Sequence, residues 1–205
     1  SQFVKLENES KYYQFFGKKH SLNFRADLGI GIPYGNSKLT MPFDYSFFAW
    51  GSNDNRGFVA RTLGPGSYKY YIDPNRTSTQ IGDVKIALNL EYRYDITDMF
   101  KIALFVDAGN IWTLREDINR PGGKFSKDFY KELALSAGLG LRLDFSFFII
   151  RVDLGIPLYN PSFPQGEKWI WESREMYDAQ VLTLPKWYSD ELNGPFAPRL
   201  NIGIG

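Results

Sequence analysis

Few residues in this chain are equipped for covalent chemistry. His20 is the single histidine and there is no cysteine, which removes multi-histidine metal centres, thiolate sites, disulfides and cysteine nucleophiles together. One lone imidazole at a turn, after Gly17-Lys18-Lys19, makes no plausible Ser/His/Asp set. His20 reads as a solvated or interfacial turn residue. Glu91 and Asp107 are the carboxylates an acid–base mechanism would use, but carboxylates beside arginines are more often structural ion pairs. The run from Asp73-Pro74-Asn75 to Asp83 loosely resembles a calcium loop, yet lacks its spacing and closing Glu. No catalytic residue, metal or cofactor is expected. One stretch stands apart: Ala49-Trp50-Gly51-Ser52-Asn53-Asp54-Asn55-Arg56-Gly57-Phe58, with Leu63-Gly64-Pro65-Gly66 after it. Gly51 and Gly57 lack the spacing of a phosphate loop, and no Lys-Ser/Thr pair follows. Alone, an Arg-Gly pair in such a loop is a solvated turn. What it does depends on the elements that position it.

Composition narrows those elements. The 205 residues carry a net charge of +1, so no nucleic-acid partner is expected. Aromatics reach 17% while mean hydropathy is −0.32, and no apolar run approaches the roughly 18 residues of a membrane helix. A transmembrane β-barrel remains open, because alternating strands average out in any hydropathy window. The chain starts at Ser1 with neither Met nor signal peptide, so it is expected to be a fragment or a mature segment.

Period-two alternation organises the chain. Residues 2–16 alternate loosely, with Val4, Leu6 and Tyr12 opposing Lys5, Glu7, Glu9 and Lys11. In 22–34 the pattern is strict: Leu22, Phe24, Ala26, Leu28, Ile30, Ile32 and Tyr34 oppose Asn23, Arg25, Asp27, Gly29 and Gly31. Such a strand is long enough to cross a bilayer, which takes about 9–11 residues. Further strands are predicted at 84–94, 102–112, 133–143 and 148–158, and a last one ends in Leu200, Ile202 and Ile204. No helical period persists anywhere. The connections alternate between short ones at 17–19, 95–99 and 145–147 and long ones at 35–79, 113–130 and 159–193.

Tight turns on one side and long loops on the other fit a membrane barrel, while a soluble up-and-down barrel would bury the apolar parity inside. Aromatic placement favours the membrane. Phe15, Phe16, Tyr92, Tyr94, Phe100, Phe145, Phe147 and Phe148 lie at the short-turn ends, and Tyr34 and Trp112 at the long-loop ends, like two girdles bounding an apolar band. Arg and Asp on the other parity would line a polar lumen. Seven strands are an odd number, whereas single-chain bacterial barrels have even counts and leave no open edge in lipid. The expected fold class is therefore all-β: the C-terminal seven strands of an antiparallel transmembrane β-barrel, unable to close alone.

Four motifs in order carry a family resemblance: Gly51-Ser52-Asn53-Asp54-Asn55-Arg56-Gly57-Phe58; Asn89-Leu90-Glu91-Tyr92-Arg93; Phe105-Val106-Asp107-Ala108-Gly109-Asn110-Ile111-Trp112; and Ser136-Ala137-Gly138-Leu139-Gly140-Leu141-Arg142 with Arg151-Val152-Asp153-Leu154-Gly155. Together they resemble the barrel region of BamA/TamA-type outer-membrane assembly proteins (surface antigen/D15-like), the TamA-like lipoprotein variant among them. The resemblance spans nearly all of 1–205 and implies the last seven of about sixteen strands. It further implies that 35–79 is a lid loop folded into the lumen. Its motif Asn55, Arg56, Gly57 and Phe58 would bring Arg56 to the barrel-wall partners Glu91 and Asp107. A guanidinium between two carboxylates gains charge-assisted, potentially bidentate bonds. There are two departures. Asn55 stands where an apolar residue is common, beside Asp54, and Gly205 ends the chain without the family's terminal aromatic.

The implied activity is assembly or translocation of envelope proteins in the bacterial outer membrane, without covalent chemistry. Partners would be outer-membrane lipids, unfolded outer-membrane clients, and periplasmic or lipoprotein assembly factors. The alternative is a passive pore or structural barrel, which would not need the ordered Arg-Gly-Phe, Glu and Asp-Ala-Gly-Asn set.

Overall fold

The computed structural model describes residues 2–35, 41–49, 54–73, 80–192 and 194–204. Seven strands form one antiparallel sheet in simple sequence order: β1 (Gln2–Phe16), β2 (His20–Tyr34), β3 (Val84–Asp95), β4 (Phe100–Trp112), β5 (Ala134–Asp144), β6 (Ile149–Tyr159) and β7 (Arg199–Ile204). The predicted strands are all present, within a residue or two at their ends. β1 and β7 are the two edges of the sheet.

Local chemistry makes the three tight hairpins. Gly17 takes φ 72° between β1 and β2, a region open to glycine at little cost. Between β3 and β4, Thr97 Oγ1 accepts the Phe100 N–H at 3.0 Å. Between β5 and β6, Asp144 Oδ1 accepts the Ser146 N–H at 3.0 Å, letting Ser146 adopt φ 70°. One register shift interrupts the ladders, between Leu135 and Ser136 of β5 opposite Tyr159 and Pro157 of β6.

The two faces of the sheet meet different surroundings. Phe24, Leu28, Ile32, Leu90, Leu104, Val106, Leu139, Leu141, Leu154 and Ile202 are exposed on one face, and Leu88 is half-buried there. None of Leu88, Leu90, Leu139 or Leu141 lies in an enclosed core. The inner face carries the charged parity, and there Asp27, Lys85, Glu91, Asp107, Arg142 and Asp153 are buried beneath the loop that joins β2 to β3. Phe47, Ala49, Phe58 and Leu63 of that loop cluster with Ile111 and Ala134 of the wall.

Two expectations need correction. The third long loop contains two helices, α1 (Glu175–Leu182) and α2 (Lys186–Leu192). Among the described side chains each buries one i, i+4 pair, Tyr177 with Val181 and Tyr188 with Leu192, too little to register as a period. The N-terminal amides of α1 are satisfied from outside the helix: Glu167 accepts the Met176 and Tyr177 N–H groups, both at 2.8 Å. These side chains join Tyr71, Phe163 and Phe196 in an aromatic cap. Tyr188 hydroxyl donates toward the carbonyls of Tyr70 and Asp73, each 3.0 Å away, tying the cap to the β2–β3 loop.

Trp112 is the second correction, because it is not a girdle residue. It is fully buried under the β4–β5 loop, edge-on to Phe125 and Phe129, and its indole N–H reaches Glu132 at 2.6 Å. His20, read as a turn residue, begins β2, with Nδ1 2.6 Å from Tyr92 hydroxyl. Residues 36–40, 50–53 and 74–79, which include part of the lid motif and of the calcium-like run, lie outside the described residues.

Candidate functional site: an arginine clasped by the inner wall

The β2–β3 loop reaches the inner face at a tight turn, Asp54–Phe58, in which the Phe58 N–H bonds back to the Asn55 carbonyl at 3.2 Å. The turn points Arg56 at the wall. Its Nε donates to Asp107 Oδ2 at 2.9 Å and one terminal nitrogen to Asp107 Oδ1 at 2.8 Å, the two-pronged geometry that suits a planar guanidinium. The other terminal nitrogen meets Glu91 at 2.5 Å. The guanidinium carbon also stands 3.5 Å from the centre of the Phe105 ring, so an aromatic face lies against the cation. Burial works against the charge on Arg56, but the hydrogen bonds and proximity of Asp107 and Glu91 outweigh it and raise its pKa. The structure thus brings Arg56, Glu91 and Asp107 together on the inner wall.

Arg56 belongs to a wider network. Arg142 of β5 joins Glu91 at 2.9 Å and Asp153 of β6 at 2.6 Å, and Arg93 contacts Glu91 at 2.5 Å. Asn89 bridges wall and loop, donating to Asp107 Oδ1 at 2.8 Å and to the Asp54 carbonyl at 2.7 Å.

Backbone contacts seat the turn. Gly57 N–H donates to Ser136 Oγ at 3.2 Å. A Cβ on Gly57 would meet Pro157 N at 2.9 Å and Ile156 C at 3.0 Å, besides Ser136 Cβ. Gly155 has the same role from the wall side, since a Cβ there would lie 2.6 Å from the Arg56 carbonyl oxygen. That oxygen accepts the Asn201 amide at 2.9 Å. Asn55 is a polar plug here: its amide donates to the Ala134 carbonyl at 3.1 Å and its carbonyl accepts Ser136 Oγ–H at 2.6 Å. An apolar residue would take away the acceptor of the Ser136 O–H and the side-chain donor to the Ala134 carbonyl, which accounts for asparagine at this position. Phe58 turns away into the apolar cluster with Phe47 and Leu63.

A second cluster of reversed sign lies beside the first. Asp54 of the β2–β3 loop meets Arg25 at 3.2 Å and Lys85 at 3.0 Å, and Lys85 also holds Asp27 at 2.8 Å. The β2–β3 loop therefore presents an anion to cations on β2 and β3, and a cation to anions on β3 and β4. The sequence reading did not connect Asp54 with Arg25 and Lys85, although both cations stand on the inner parity. A polar cavity of about 420 Å³ lies alongside, lined by Glu9, Arg25, Arg56, Asn89, Glu91 and Arg93 among others.

The Omp85 superfamily domain model matches residues 1–172. The chain belongs to the Omp85 superfamily. A solved structure with the same fold is that of BamA from Haemophilus ducreyi lacking POTRA domains 1–3. It matches at a TM-score of 0.58 and 18% identity, over 76% of this chain and 32% of that one. The Omp85 chain thus spans about a third of that structure. A search of curated proteins returns no match.

Chemically, the clasp in this Omp85 chain is a network of ion pairs in which Asp107 and Glu91 are occupied by guanidinium and amide donors. Among the described residues no cluster of three or more His, Cys, Asp or Glu is arranged to hold a metal ion.

Proposed function

We propose that the chain is the C-terminal part of a bacterial outer-membrane barrel that inserts or exports envelope proteins without covalent chemistry. In this reading the β2–β3 loop is a lid docked in the lumen. The exposed apolar face contacts outer-membrane lipid, and unfolded outer-membrane proteins are the clients, delivered by periplasmic or lipoprotein partners. The observation that carries the reading is the buried clasp of Arg56 by Asp107 and Glu91 on the inner face of an Omp85-superfamily sheet. A plain pore could carry a constricting loop, but it would not need the ordered Arg-Gly-Phe, Glu and Asp-Ala-Gly-Asn set that builds this clasp.

The test reconstitutes the full-length protein in lipid vesicles and follows folding of an added, urea-unfolded outer-membrane protein by its gel-mobility shift. The expected result is faster client folding than in empty vesicles, and slower folding with Arg56→Ala. Vesicles that conduct ions but give no acceleration would favour the passive pore.

A further inference from the structure

The outer face carries a feature that the clasp does not use. Above the last β6–β7 pair, Gly155 with Arg199, the edge of β6 is taken by residues 168–170 of the third long loop. Asn160 N–H donates to the Lys168 carbonyl and Ile170 N–H to the Leu158 carbonyl, both at 2.9 Å, and Trp169 forms an antiparallel bridge with Tyr159. A turn locks the segment: Glu172 N–H bonds the Trp169 carbonyl at 3.0 Å, and the Glu172 carboxylate accepts the Trp169 N–H at 2.9 Å.

Directly opposed residues of an antiparallel pair share a face, so Trp169 projects on the same side as Tyr159. Tyr159 is in register with Leu135, which stands on the outward parity with Leu139 and Leu141. The rings follow this placement. Tyr159 and Trp169 centroids are 4.7 Å apart, and Trp171 stacks on Trp169 at 4.6 Å with 17° between planes. Trp171 remains 69% exposed, and Tyr130 nearby 58%. Tyr159 hydroxyl donates to the Lys131 carbonyl at 2.8 Å, fixing the base of the stack.

We propose that Tyr159, Trp169 and Trp171 form an interfacial anchor that seats the long-loop end of β6 in the headgroup–acyl boundary of the bilayer. The stack continues the apolar band at its upper margin. An indole offers a broad apolar ring with one polar N–H, which suits it to that boundary better than to bulk water or hydrocarbon. Because β7 pairs with β6 directly below, the anchor fixes the depth of the edge strand too. This inference rests on the membrane reading above, but not on the assembly activity.

Depth-resolved fluorescence quenching tests it. The full-length protein and its Trp171→Phe variant are reconstituted in phosphatidylcholine vesicles brominated either near the headgroup end or near the tail end of the acyl chain. The Trp171 signal is the difference between the two proteins, so Trp112, which holds Glu132, stays in place. A Leu139→Trp variant reports the middle of the band. The expected result is loss of most of the Trp171 signal with shallow bromine, less with deep bromine, and protection from aqueous iodide. Stronger quenching by deep bromine would overturn the interfacial placement. Iodide quenching of Trp171 without lipid quenching, while the Leu139→Trp indole is quenched by lipid, would overturn the anchor and leave the membrane wall standing. Lipid quenching of neither would overturn both.

Discussion

Replacing Arg56 by alanine should release the lid turn while leaving the wall intact. The side chains concerned are nearly dry: Arg56 is 6% exposed, Asp107 0% and Glu91 8%. Breaking a buried pair by removing one partner typically costs about 3–5 kcal/mol. Here the carboxylates are not left bare. Glu91 keeps Arg142 and Arg93, and Asp107 keeps the Asn89 amide and the main-chain N–H of residue 56, the latter at 3.0 Å. The cost should therefore fall near the lower bound, about 3 kcal/mol, a factor of roughly 100 in the ratio of docked to released lid. Hydrogen exchange on the reconstituted full-length protein reads this directly. Amides of 55–58 should lose about two orders of magnitude of protection, while those of β3 and β4 keep theirs, because their ladder does not pass through the lid. Arg56→Lys should recover only part, since an ammonium cannot span both oxygens of Asp107 and reach Glu91 as well. Unchanged protection at 55–58 in Arg56→Ala would refute the latch. Equal loss in β3 and β4 would show that Arg56 is part of the wall's own core.

Three further outcomes follow from the same geometry. Gly57→Ala should lift the turn by about 1–3 kcal/mol, because its methyl would meet the main chain of Ile156 and Pro157, and proteolytic nicking within the lid should rise. Asp54→Asn should loosen the turn by about 1–2 kcal/mol, less than Arg56→Ala, because Lys85 keeps Asp27 and Arg25 keeps Glu9 and Asp27; exchange at 55–58 checks the order. Glu132 supplies a pH dependence: burial raises its carboxyl above the ordinary 4.5, with the hydrogen bonds from Trp112 and Ser67 opposing. An acid with a raised folded pKa stabilises the fold while protonated, so that contribution is full below pH 4.5 and is lost as pH rises through the raised value. Intrinsic-rate-corrected protection of the β4–β5 loop should fall across that window, and Glu132→Gln should flatten the fall.

The strands were legible because the wall separates two unlike surroundings, and each parity is written for one of them. Leu88 and Leu90 against Lys85, Asn89 and Glu91 need no tertiary information to sort. The helices were not legible for the converse reason. Residues 175–192 bury their faces against Phe163 of the same loop and against Tyr71, far away in sequence, and the α1 amides are satisfied by Glu167 rather than by an adjacent capping residue. Trp112 misled because parity assigns a face but not what covers that face; the β4–β5 loop folds over it. At the candidate site, parity put Glu91 and Asp107 on the inner wall, and the family resemblance put Arg56 near them. Parity also placed Arg25, Lys85, Arg142 and Asp153 inside. Their grouping around Asp54 and Glu91 depends on where the lid turn lands, which no spacing along the chain encodes.

The inner wall has one more property, seen when its charges are taken together. Glu9, Asp27, Asp54, Glu91, Asp107 and Asp153 form ion pairs with Arg25, Lys85, Arg56, Arg93, Arg142 and Arg151, although like charges also stand directly opposite across the ladder, Glu9 with Asp27 and Arg142 with Arg151. Because the cations and anions of this network balance, it carries almost no monopole, and its field falls off with distance faster than that of a net charge. Under the proposed function, a client approaching this part of the wall would feel little net attraction or repulsion from these groups, whichever sign of charge it carried.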